Sequence, residues 1–250
     1  MTAKLKAMGR YNWQEWLKSI LLLGMAFYFF ALIFTGKLSN YINLRFAWLS
    51  YVAVVVFLLL ALWNSYRLIT GRYSRLSHSN AHLGLSWAGI AVMSLPLLFA
   101  ILLPSEPLGA DAVSGSISLK PISGVSAEAR YNLPPLERNV LDWLRAFDEA
   151  ANPTELNGLP VNIVAFVYRE AGMDDNQFMA ARFTLSCCVA DAMAIGMPVH
   201  AENAENFADG QWVQIQGTLQ AGEFRGATVP ILIPSSIEAI EPPENPYLYS

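Results

Sequence analysis

Apolar positions along this chain follow two different rhythms. In the first hundred residues they form continuous runs. Leu17–Phe34 and Phe46–Trp63 span 18 residues each and Leu83–Leu103 spans 21. A helix needs roughly 20 apolar residues to cross the hydrocarbon core of a bilayer, with about 17 as the lower limit. The runs predict three transmembrane helices, 17–34, 46–63 and 83–103. None contains an acid, and Lys18 is their one charged residue. Trp13, Trp16, Tyr41, Trp48, Trp63 and Tyr66 stand where interfacial aromatic anchors belong. Pro96, beside Ser94, predicts a kink in the third helix.

Beyond residue 103 the continuous runs stop. Residues 104–134 hold four prolines, with Pro135 next to the last, and scattered Gly and Ser, which predicts a linker with little regular structure. After Pro134-Pro135, the positions Leu136, Val140, Leu144 and Phe147 repeat at helical spacing, with Leu141 alongside. Arg138, Asp142, Arg145 and Glu149 fall opposite. Asn152-Pro153 ends this amphipathic helix. The period then changes to two. Strands are predicted at Val161–Tyr168, Phe178–Val189, Gly196–His200, Trp212–Leu219 and Thr228–Ile233, with Gly172 to Asp175, Ala208 to Gly210, Gly222 and Gly226 as turns. Five short strands predict a small OB-like β-barrel. Gly217 would let the fourth strand bend for closure. The fold class is therefore a membrane α-helical anchor of three helices (1–103), a linker (104–134) and an all-β, OB-like domain introduced by a helix (135–250).

Charge divides along the same line. Residues 1–105 carry nine Lys/Arg and one acid, whereas residues 106–250 carry seven and nineteen. Overall, 14% of residues are charged, against about 25% in an ordinary soluble domain. The acidic half argues against nucleic acid, whose phosphates need a basic face. Lys4, Lys6, Arg10, Lys18, Arg67, Arg72 and Arg75 flank one side of the spans; Lys37 and Arg45 flank the other. The positive-inside rule then puts the N-terminus in the cytoplasm and the C-terminal domain outside, in a multi-pass protein of the plasma (inner) membrane. The spans hold no Asp, Glu, His or Arg. Ion-coupled pathways use such groups, so this chain alone is not read as a pump.

Chemistry concentrates in Ser186-Cys187-Cys188-Val189-Ala190-Asp191-Ala192, which holds both cysteines of the chain. An adjacent pair does not readily close an ordinary disulfide. Strand alternation would put Met179, Ala181, Phe183, Leu185 and Cys187 on an apolar core face. Arg182, Thr184, Ser186 and Cys188 would lie on a polar one. Three readings stand. The cysteines only pack, in a domain that binds a protein partner. Alternatively Cys187, Cys188, Asp191 and His200 bind zinc or copper, a choice that thiolate and imidazole favour. In the third, Cys188 is the thiol of a membrane-tethered oxidoreductase, with Arg182 as the one nearby cation to activate it. His78 and His82 share the i, i+4 spacing of a partial metal site ahead of the third span. There is no G-x-S-x-G elbow, phosphate-binding glycine loop or H-E-x-x-H helix, so the chain is not read as an enzyme.

Several segments carry a resemblance. They are Gly36-Lys-Leu-Ser-Asn-Tyr-Ile-Asn43, Asn152-Pro-Thr-Glu-Leu-Asn-Gly158, Val161 to Tyr168, Arg182-Phe-Thr-Leu-Ser-Cys-Cys-Val-Ala-Asp-Ala192, Gln211 to Leu219 and Asn245-Pro-Tyr-Leu-Tyr249. Together they resemble the YcgQ family of bacterial membrane proteins. The resemblance implies an accessory role: one subunit of a two-component permease whose other subunit is a large multi-span permease. Some relatives carry a His-rich loop between the second and third spans, where His78 and His82 stand here.

Overall fold

The computed structural model describes residues 2–70, 87–103, 105–113, 115–121 and 133–249, with side chains from Trp13 onward in the first helix. His78 and His82 lie outside the described residues. The chain divides into two compact units. One comprises residues 1–38 and 44–106; the other comprises 39–43 and 107–250.

The first unit is helical. Helix α1 runs Thr2–Phe34, α2 runs Ala47–Ile69 and α3 runs Trp87–Leu102. Two segments, Trp13–Phe34 and Leu44–Ile69, are long and apolar enough to cross a membrane. The third apolar run is represented by the shorter α3, and residues 83–86 lie outside the described residues. Only 17% and 11% of the most apolar windows of the first two segments are buried, so these are not core helices of a globular fold. Their contact uses small side chains, Ala26 and Ala61 at 2% and 1% exposure, beside stacked Phe29 and Phe57. Gly24 leaves room for Leu97 of α3.

The expectation of acid-free spans needs one correction. The first segment begins at Trp13, four residues before the predicted boundary, and so takes in Glu15. Glu15 is buried and paired with Lys18 one turn later. Asn64 of α2 donates to the Glu15 carbonyl (3.1 Å) and to Ser19 Oγ (2.8 Å), giving the helix pair a polar tie at this end.

The second unit is a closed five-stranded barrel. Its strands are β1 (Pro160–Tyr168), β2 (Gln177–Leu185), β3 (Met193–His200), β4 (Trp212–Phe224) and β5 (Ala227–Ala239). The ring runs β1-β2-β3-β5-β4 and back to β1. Pairing is antiparallel except between β3 and β5, which meet in parallel at Val199 and Leu232. This pattern fits the OB-like expectation. A short β6 (Tyr247–Tyr249) joins β2 in parallel.

Three local features explain the closure. Arg225 and Gly226 both have positive φ (52° and 73°), so a two-residue turn joins β4 and β5 with the twist a hairpin needs. The β4–β5 register slips between Gln216 and Gly217. A Cβ on Gly217 would lie 2.2 Å from the Ile233 carbonyl oxygen, so the bend predicted there depends on a missing side chain. Helix α4 (Val140–Glu149) contributes Val140, Leu141, Trp143, Leu144 and Phe147 to the barrel core. Asp142 was expected on the polar face. It is buried instead, because it completes a reciprocal cap with Asn139 (3.1 and 3.2 Å).

A second apolar cluster covers the other face of β2. Phe166, Met179, Phe183, Leu185, Trp212 and Tyr247 gather there with Ala110 and Ile117. Part of the predicted linker is therefore packed structure. Ile117 is 1% exposed; its N–H donates to Glu170 Oε1 (2.8 Å) and its carbonyl accepts from Arg225 Nη1 (3.0 Å). Glu170 and Arg225 also pair with each other. Ser118 bridges Ile195, supplying partners to the stretch of β3 that β5 leaves unpaired.

Gly217→Ala should lower the unfolding free energy by about 2–3 kcal/mol, since carbonyl backbone cannot give way as a side chain can. Chemical denaturation of the wild-type and variant barrels measures this. An unchanged midpoint would mean that the bend does not need a bare Cα.

Candidate functional site

The cysteine loop forms where β2 ends. The predicted strand to Val189 stops at Leu185, and a 3₁₀ turn, Val189–Asp191, leads into β3. Asp191 folds the loop back on itself. Its Oδ1 accepts from the Ser186 N–H (3.1 Å) and its Oδ2 from the Cys187 N–H (2.7 Å). Because alternation ends with the strand, the expected burial of the pair is reversed: Cys187 is exposed and Cys188 half-buried. Both are free thiols, and their sulfurs lie 3.6 Å apart.

The backbone of the same loop holds residues 39–43. Ile42 forms an antiparallel bridge with Cys188. The Asn43 N–H donates to the Cys187 carbonyl (3.0 Å) and the Val189 N–H to the Tyr41 carbonyl (2.9 Å). Asn43, itself buried, donates through Nδ2 to the Ser186 carbonyl (2.9 Å) and to that of Leu185 (3.5 Å). The C-terminal tail grips the other side. Tyr247 Oη donates to the Asn40 carbonyl (3.2 Å) and accepts from the Leu108 N–H (2.8 Å). Ser39 Oγ donates to the Glu244 carbonyl (3.4 Å).

The electrostatics keep Cys187 protonated. The Asp191 carboxylate accepts a hydrogen bond from its thiol and, with Cys188 and the local desolvation, pushes its pKa up to about 11. Desolvation alone would raise the Asp191 carboxyl. The thiol of Cys187 and the N–H groups of Cys187, Ser186 and Cys188 outweigh it, holding that carboxyl below its ordinary value. A thiol so placed lacks the depressed pKa that equips a cysteine for exchange chemistry.

Two predicted site residues lie elsewhere. His200 ends β3, opposite Gln177, whereas the cysteine loop enters β3 at Met193, opposite Thr184. Seven residues of extended chain separate the two ends by about 23 Å, so the turn does not bring His200 back to the thiols. Among the described residues, no group of three or more His, Cys, Asp and Glu could hold a metal ion. Arg182 was expected on a polar face near the thiols. It is 6% exposed, because β2 is buried on both faces. Its Nη1 donates to the Val164 carbonyl (3.0 Å), its Nη2 to that of Asn245 (2.9 Å), and the guanidinium lies over Trp212. Burial pushes its pKa down to about 10, opposed by the nearby Tyr249. Arg182 ties the tail to β1 and does not serve the cysteines. The residues not anticipated in this role are Ile42 and Asn43, which carry no catalytic signature and act through backbone and amide groups.

Two family models match successive parts of the chain: the DUF1980 N-terminal domain over residues 17–117 and the DUF1980 C-terminal domain over residues 136–250. The chain belongs to the DUF1980 family. The N-terminal domain match covers most of α1, all of α2 and α3, and the segment up to Ile117; the C-terminal one covers α4 and the barrel. UPF0703 protein YcgQ of Bacillus subtilis is 22% identical, with 92% of this chain and 98% of that protein aligned. A Streptococcus mutans protein is also 22% identical over 86% of this chain and 92% of its own length. It bears the provisional name of a two-component membrane permease complex subunit.

Asp191→Asn should return the Cys187 pKa toward its ordinary value and so speed its alkylation at pH 8. Stopped-flow thiol labelling with mass-spectrometric assignment measures this. Equal rates in wild type and variant would show that the carboxylate does not hold the thiol proton.

Proposed function

We propose that this chain is a three-pass accessory subunit of a membrane permease complex, with its barrel on the extracytoplasmic side. The observation that carries the topology is the membership of residues 39–43 in the barrel unit. The stretch 44–106 leaves that unit and returns to it, so it crosses the bilayer an even number of times. The apolar segment Leu44–Ile69 supplies one crossing, and the run ending in α3 supplies the other. The basic residues before the first span and after the second favour those ends in the cytoplasm.

The accessory role is supported by the chemistry of the helices and by the name of the streptococcal relative. The one acid in the first segment is paired within its own helix and tied to Asn64 near one end. No relay of titratable groups crosses the described helices. A multi-span partner would provide the path, and the barrel would bind its cargo or gate its outer mouth. Affinity purification of the full chain at native expression in mild detergent tests this. The expected result is a stoichiometric multi-span partner; elution of the chain alone would contradict it.

A further inference from the structure

The sulfur pair, rather than the four-residue set expected from sequence, is what the fold brings together: the two thiols lie side by side, whereas His200 sits at the far end of β3. We propose that Cys187 and Cys188 form an open two-sulfur clamp for a thiophilic cation of the zinc and copper(I) class. The geometry is suitable as it stands. Metal–sulfur bonds of about 2.3 Å meeting at a tetrahedral angle would separate two sulfurs by about 3.8 Å. The observed separation is 3.6 Å, so a cation could bridge the sulfurs with little backbone movement. Soft sulfur donors without nitrogen or oxygen select this class over magnesium or calcium.

The surroundings also suit a cation. Each Asp191 oxygen already receives a peptide N–H, from Ser186 or Cys187, and the clamp does not count the carboxylate among its ligands. Its negative charge remains beside the thiols. Each thiol releases its proton to solvent as its metal–sulfur bond forms; nothing is oxidised or reduced.

Two protein ligands leave part of the coordination sphere open. Structural zinc sites are closed by four protein ligands, so an open clamp fits capture and release better than permanent retention. The clamp also has a mechanical neighbour. The Cys187 carbonyl and the Cys188 bridge hold Asn43 and Ile42, in the connection between the first two apolar helices. Occupancy at the sulfurs would bear directly on the backbone that grips this connection. The inference stands apart from the subunit reading, since the clamp needs only this chain.

Titration of the reduced full chain in detergent with cadmium(II), a spectroscopic substitute for zinc, tests the clamp. One equivalent should produce a sulfur-to-metal charge-transfer band in the ultraviolet. The band should be lost in Cys187→Ser and in Cys188→Ser, and retained in His200→Ala. Circular dichroism verifies that each variant is folded. Absence of the band in folded wild type, or its survival in either serine variant, would overturn the proposal. Copurification of a partner is read independently, so failure of the clamp leaves the permease reading to its own test.

Discussion

Five residues between two apolar helices constrain everything else in this protein. Ser39–Asn43 are separated from the barrel by more than sixty residues of chain, yet they belong to its unit. The attachment is backbone pairing at Ile42 and Cys188, reinforced by the buried Asn43 amide and the tail at Tyr247. Each bond of this kind contributes on the order of 1 kcal/mol net, but leaving several buried partners unmade would cost more. The connection therefore cannot leave the barrel surface cheaply.

The barrel is organised to make that attachment rigid. Strand β2 is buried on both faces, by the barrel core on one side and by Tyr247, Trp212 and Ile117 on the other. Arg182 spends its guanidinium on carbonyls of β1 and the tail. The cysteine loop is thus an exposed turn mounted on a fixed strand. Asp191 shapes the turn through peptide N–H groups, and the same carboxylate sets the protonation of Cys187.

Much of the fold was legible because the two apolar rhythms are unambiguous. Period-two alternation located all five barrel strands, and Gly217 marked the bend. The errors have a common cause: positions whose burial is decided by distant segments. Alternation assumes one wet face, and β2 has none, so Arg182 was misassigned; the burial of Cys187 and Cys188 was misassigned because the strand ends at Leu185, before it reaches them. Prolines between 104 and 134 signalled a linker, but Ile117 is held by Glu170 and Arg225, which arrive from other loops. The cysteine loop was visible as an adjacent pair near an acid. Its partners Ile42 and Asn43 were not assigned there, because backbone pairing leaves no side-chain signature. His200 was a candidate on the condition that the turn brought the next strand back to the thiols, and the length of β3 keeps it at the other end.

In the proposed topology, residue 37, just ahead of the held segment, and the β4–β5 hairpin lie on one side of the membrane. Single cysteines at Lys37 and Glu223, each in a Cys187→Ser, Cys188→Ser background, can be labelled in intact cells with a membrane-impermeant maleimide. Both positions should be labelled before permeabilisation. Labelling of one position only, with the other requiring permeabilisation, would contradict that topology.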